Sequence, residues 1–174
     1  MINGKVVEQY NKHGVSVVRD CISKDWLTVL RDAVEQDIRD PGPYVHRYES
    51  DDGQGRFHGN LRLWETNSKF RDFCLDSPLP EMAAQLLGSA KVNLLYDQLF
   101  VKEPGTPNRT RWHNDQPYWA MRGWQVLTFW IALDPVNRDS GALEFLRGSH
   151  RWDRWFQPEI FGKGPDIEPY ERNP

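Results

Sequence analysis

Hydrophobic positions along the chain change period once, near residue 90. Before that point they recur at helical spacing. Val6, Val7 and Tyr10 fall on one face, and Gly14 follows as a stop, which predicts a first helix. Val15 to Val18 is a short β-branched run that reads as a strand. Ser23 can cap a second helix, in which Trp26, Leu30, Val34 and Ile38 recur every four residues until Pro41-Gly42-Pro43 ends it. Tyr44 to Gly59 is polar, rich in Asp and Gly, and reads as a long loop. Asn67 to Leu75 and Glu81 to Leu87 predict two short helices, the second stopped by Gly88.

Beyond that point the pattern is that of strands. Val92 to Lys102 (VNLLYDQLFVK) is bounded by Ala90 and by Pro104-Gly105. Val126 to Leu133 (VLTFWIAL) is a continuous apolar run rich in β-branched and aromatic residues, which suits a buried strand. Leu143 to Leu146 follows the turn-forming Asn137-Arg138-Asp139-Ser140-Gly141. Helices first and strands later predict an α+β domain, and a length of 174 residues without repeats suits a single one, residues 1–174.

Composition narrows the function classes. With 22 Lys+Arg against 25 Asp+Glu the net charge is -3, so no basic footprint for nucleic acid is expected. No apolar run approaches the roughly 20 residues of a membrane span, and Met1 to Val18 lacks the pattern of a signal peptide. Cys21 and Cys74 read as reduced thiols, and a cytoplasmic protein is expected. Aromatic residues reach 13%, with eight Trp.

Trp112 to Trp119 (WHNDQPYW) is the most informative stretch. In an extended segment the side chains of His113 and Asp115 would share a face, with Cα atoms about 7 Å apart. One nitrogen and one oxygen ligand could then meet on a single metal, as in a two-His-one-carboxylate iron(II) site. The same pair also reads as a surface His beside a solvated Asp. Pro117 halts strand pairing, and Tyr118, Trp119 and Trp124 bring aromatic surface to the pair, as an apolar ligand pocket requires. By alternation Tyr96, Gln98 and Phe100 share one face, and a buried Gln98 would need a hydrogen-bond partner. Thr128 and Trp130 share a face opposite Leu127, Phe129 and Ile131, where a hydroxyl and an indole N–H would suit a small polar co-substrate.

Four ordered motifs together resemble the phytanoyl-CoA dioxygenase family of iron(II)- and 2-oxoglutarate-dependent oxygenases. They are YDQLFVKEPG (Tyr96 to Gly105), WHNDQPYW, WIALD (Trp130 to Asp134) and SGALEFLRGSH (Ser140 to His150). The resemblance implies a double-stranded β-helix (a cupin-like jelly roll) with N-terminal helices packed on one side. It implies His113 and Asp115 as iron ligands, and Gln98, Thr128 and Trp130 as contacts of the co-substrate 2-oxoglutarate. Trp119, with Tyr118 beside it, would border the substrate pocket. The implied reaction hydroxylates a C–H bond of a small molecule with O2, while 2-oxoglutarate is decarboxylated to succinate.

One departure from the family pattern changes the expectation. The family's second His ligand and its co-substrate Arg lie well after the Gly148-Ser149-His150 turn, and here no His follows His150. His150 resembles a landmark that is ordinarily not a ligand. The expectation is therefore a jelly roll without its last strands, with an unpaired β edge open to self-association. Its alternative is a catalytically inactive remnant or binding module. A Trp-rich β-sandwich that binds carbohydrate and a zinc hydrolase are further readings of the same residues, the latter short of the usual three protein ligands.

Overall fold

The computed structural model describes residues 2–49, 55–106 and 110–156. Helix α1 (Gly4–His13) starts where the Asn3 side chain accepts the Val6 N–H, and ends at Gly14 in the left-handed conformation. Helix α2 (Lys24–Arg39) is capped by Ser23, whose hydroxyl accepts the Trp26 N–H at 3.2 Å. Strands β1 (His46–Glu49) and β2 (Arg56–Leu61) follow, then the single turn α3 (Leu63–Thr66). Helices α4 (Ser68–Asp76) and α5 (Leu79–Leu87) lead to strand β3 (Gln98–Lys102). The two predicted short helices are thus present, with Asn67 as the cap of α4 and Gly88 ending α5.

The stripe on α2 makes the core. Leu30, Ala33 and Val34 pack with Leu63, Phe70, Phe73 and Leu99, and Trp26 and Ile38 join them at the margin. Trp26 meets Phe73 edge-on at 5.4 Å, a favourable aromatic geometry. The sheet is antiparallel in the order β1-β2-β3. Its register pairs Asn60 with Leu99 and His58 with Val101, so these four share the face toward α2. Gly59 and Phe100, and Leu61 and Gln98, point to the other face.

Two residues on that inward face are polar, and α2 answers them. Asp37 reaches His58 Nε2 through one carboxyl oxygen and accepts the Asn60 side-chain N–H through the other, both at 2.8 Å. All three side chains are buried. Asn60 in turn accepts the Leu61 backbone N–H at 2.8 Å. A buried polar group is tolerated when its partners are in place, and costs heavily when one is missing.

Two long-range anchors complete the frame. Arg31 of α2 donates to the Leu133 carbonyl and pairs with Asp134 at 3.4 Å. Gly148 N–H donates to the His13 carbonyl at 2.9 Å, and Arg151 donates to the Asn11 carbonyl at 2.6 Å. These contacts satisfy carbonyls at the end of α1 that the helix itself leaves free. A Cβ at Gly14 would overlap the His150 ring, so glycine is required there for close approach as well as for its positive φ.

Several expectations are corrected. Tyr44 to Gly59 is not a long loop, since it contains β1 and most of β2; the inward residues of β2 are polar, which hides the strand from hydrophobic patterning. Among the described residues Val15 to Val18, Val126 to Leu133 and Leu143 to Leu146 belong to no ladder, and only Gln98–Lys102 of the run from Val92 does. A β-branched run becomes a strand only when a neighbour pairs with its amide groups, and here none does. The fold is mixed α and β with helices on one side of the sheet; the jelly roll is not seen among the described residues. Among the described residues no helix is long and apolar enough to cross a membrane.

Replacing Asp37 by Ala leaves His58 and Asn60 buried without their partner. At about 1–3 kcal/mol for each unsatisfied group, the loss should be roughly 3 kcal/mol. Urea denaturation followed by circular dichroism measures it, and a loss under about 1 kcal/mol would show that the cluster does not hold α2 to the sheet.

Candidate functional site

The chain leaves β3, and after the described residues resume at Thr110 it turns rather than extends. Asp115 has helical dihedrals (φ -71°, ψ -40°) and precedes a single 3-10 turn, Gln116–Tyr118, with Pro117 at its start. A proline is at home in this first turn because its fixed φ suits a helix and its missing N–H is not required there. His113 and Asp115 lie in no ladder among the described residues. Their side chains nevertheless converge, with Asp115 Oδ1 3.0 Å from His113 Nε2.

Both side chains are held from behind. His113 Nδ1 lies 2.6 Å from the Arg111 carbonyl oxygen, which can only accept, so the hydrogen is on Nδ1. Asp115 Oδ2 accepts the Thr128 hydroxyl at 3.1 Å. Asn114, between them, is fixed to Phe156 by two hydrogen bonds of 2.9 Å. Tyr118 stands edge-on to the His113 ring at 5.9 Å. Nε2 of His113 and Oδ1 of Asp115 face each other.

The electrostatics follow from this arrangement. Burial opposes protonation of His113, but the hydrogen bonds to Asp115 and to the Arg111 carbonyl, with the charge of Asp115, outweigh it and raise its pKa above 6.5. The hydrogen bond from His113 holds the Asp115 carboxyl below its ordinary value; burial opposes this, while the His113 charge and Thr128 assist. A positive charge between Nε2 and Oδ1 is thus favoured.

These two atoms suit a metal. Ligands at 2.0–2.2 Å, at right angles on one ion, are themselves about 3 Å apart. The Arg111 carbonyl fixes the tautomer that leaves Nε2 for coordination, the role a backing carbonyl plays at metal-bound histidines. Among the described residues no group of three or more His, Cys, Asp or Glu could hold a metal, so the arrangement is a pair.

The other predicted residues divide. Thr128 reaches the pair, but its one proton is committed to Asp115, so it can only accept from a ligand. Thr128 and Trp130 are exposed while Leu127, Phe129 and Ile131 are half-buried, the alternation expected of this run. Gln98 lies on the sheet face away from α2, but it is exposed, a correction to the buried Gln98 expected; no hidden partner is required. Trp119 is half-buried and donates its indole N–H to the Tyr96 hydroxyl at 2.7 Å. Trp124 is 69% exposed, so the expected aromatic wall rests on Tyr118 and Trp119. His150 packs on Gly14, which gives it a structural place at the end of α1. Residue types mark neither the Arg111 carbonyl, since every residue carries one, nor the tie between Tyr96 and Trp119, which joins residues 23 apart in the chain.

The sequence pattern of the phytanoyl-CoA dioxygenase (PhyH) family matches residues 10–168. The chain is also 27% identical over 110 residues to dioxygenase lolE1 of Epichloe uncinata. That stretch is 63% of this chain and 42% of the relative, so the chain spans less than half of the relative's length. No solved structure matches the chain.

The shifts set a pH dependence. The raised His113 pKa contributes stability below 6.5 that fades as pH rises through the folded value, and the lowered Asp115 pKa contributes above 3.8 and is lost as pH falls. The metal-free pair should therefore stabilise most between those limits. Metal affinity should run the other way at neutral pH, because the ion must displace the proton on Nε2. Manganese(II) titrations should show affinity rising nearly tenfold per pH unit up to a midpoint above 6.5. Asp115→Asn should bring the His113 midpoint, followed by NMR, down toward 6.5; an unchanged midpoint would refute the coupling.

Proposed function

The chain belongs to the phytanoyl-CoA dioxygenase family, and on that premise we propose that it carries part of an iron(II)- and 2-oxoglutarate-dependent dioxygenase centre. The substrate is a small molecule whose C–H bond is hydroxylated by O2. The observation that carries this reading is the 3.0 Å approach of His113 Nε2 and Asp115 Oδ1, each backed by a hydrogen bond on its other side. The metal and 2-oxoglutarate, when bound, supply the oxidative chemistry. His113 and Asp115 would hold the ion, and Thr128 would keep Asp115 from rotating. Gln98 and Trp130, exposed on their segments, are available to the co-substrate, while Tyr118 and Trp119 shield the pair from water on the substrate side.

A second reading, a metal- or ligand-binding module without turnover, is favoured by one observation: among the described residues no third His, Cys, Asp or Glu joins His113 and Asp115. The two readings separate in one assay. With iron(II), ascorbate and 2-oxoglutarate the first predicts succinate release that His113→Ala reduces at least a hundredfold. Tight iron binding without succinate would leave the binding module standing. Absence of metal binding by the wild-type chain would refute the first reading and the metal-binding form of the second.

A further inference from the structure

Tyr96 occupies a position in this site to which no motif assigns a role. It stands two residues ahead of Gln98, and Asp97 between them turns the opposite way to accept the Trp64 N–H at 3.1 Å. The indole N–H of Trp119 reaches the Tyr96 hydroxyl at 2.7 Å. An indole nitrogen can only donate, so the phenol oxygen accepts and keeps its own hydrogen for another partner. Among the described residues no acceptor takes that hydrogen. The ring is half-buried, and Trp119, which holds its hydroxyl, closes the Gln116–Tyr118 turn that follows directly on Asp115.

Resting on the reading of the site given above, we propose that Tyr96 is a ligand-positioning residue of the His113–Asp115 centre: Trp119 holds its hydroxyl, which donates to a carboxylate oxygen of a small 2-oxo acid bound there. Of the two hydroxyls assigned to the site, Thr128 has no proton to offer, since its own goes to Asp115 Oδ2. Tyr96 has one, and burial foremost, with the nearby carboxylate, keeps the phenol in its protonated form even though the Trp119 bond opposes this. A ligand beside Asp115 brings its own negative charge to that region, and a donor of this kind offsets the repulsion.

The test uses the full chain with manganese(II) and the 2-oxoglutarate analogue N-oxalylglycine, both followed by calorimetry. Tyr96→Phe keeps the ring and removes the proton, so N-oxalylglycine should bind about tenfold more weakly, the usual range for a hydrogen bond to a charged group. Manganese(II) affinity should stay within about twofold, which a structural collapse of the site would not allow. Unchanged N-oxalylglycine affinity in Tyr96→Phe would overturn the proposal. If that variant fails to melt cooperatively, Trp119→Phe decides instead. It leaves the Tyr96 proton but frees its direction, and should weaken N-oxalylglycine several-fold; no change would overturn the proposal. Manganese(II) binding without N-oxalylglycine binding by the wild-type chain overturns this inference alone, whereas binding of neither overturns the reading of the site.

Discussion

The Asp37 carboxyl group, buried between α2 and the sheet, fixes where everything else can stand. Its two oxygens meet His58 and Asn60, which lie two residues apart and so on one face of β2. A slip of β2 by one residue would offer it Phe57 and Gly59 instead, leaving a buried acceptor with no donor side chain. Apolar contacts alone would tolerate such a slip more readily, because they have no direction. The polar cluster therefore sets the register of β2, and the ladder passes it to β3. Leu99 and Val101 turn to the core as a result, and Gln98 and Phe100 turn away from it.

Helix α2 also reaches in the other direction. Arg31 binds the Leu133 carbonyl and Asp134, tying down the far end of the segment that carries Thr128. The near end is tied where the Gln125 side chain donates to the Leu87 carbonyl at 3.1 Å, at the end of α5. Between these anchors Ile131 and Leu133 pack against the core. Thr128 is placed beside Asp115 by side-chain contacts to backbone carbonyls and by apolar packing, without a ladder among the described residues. One helix thus orients both the sheet face that carries Gln98 and the segment that carries Thr128.

The helices were legible in the sequence because their signals are local: Ser23 and Asn67 as caps, Gly14 and Gly88 as stops, and a four-residue stripe on α2. β1 and β2 were not, since His58 and Asn60 become inward residues only once Asp37, twenty-one residues before His58, is opposite them. The apolar run at Val126 to Leu133 showed its two faces in its alternation, but it is half-buried rather than buried and lacks, among the described residues, strand pairing, which belongs to the neighbour as much as to the run. At the site the residue types of His113 and Asp115 were readable, and so was their spacing. Alternation predicts that their side chains converge, and their atoms do meet at 3.0 Å, though in no ladder among the described residues. The family motifs identified which residues to join; only the fold showed that Thr128 holds Asp115.

A metal ion bound by this pair would compete with the proton for one gap between Nε2 and Oδ1. The Arg111 carbonyl and the Thr128 hydroxyl act on the opposite sides of the two ligands, so neither backing bond depends on which cation fills the gap. Without such support, loss of the cation would let the carboxylate rotate toward water and the imidazole flip, and binding would have to restore both. With it, the ligand atoms stay at the separation an ion requires. What binding must overcome is then chiefly the proton, which the site holds more firmly than a free imidazole would. Preorganised ligands and a retained proton have the same origin, because a pocket that favours positive charge favours it in either form.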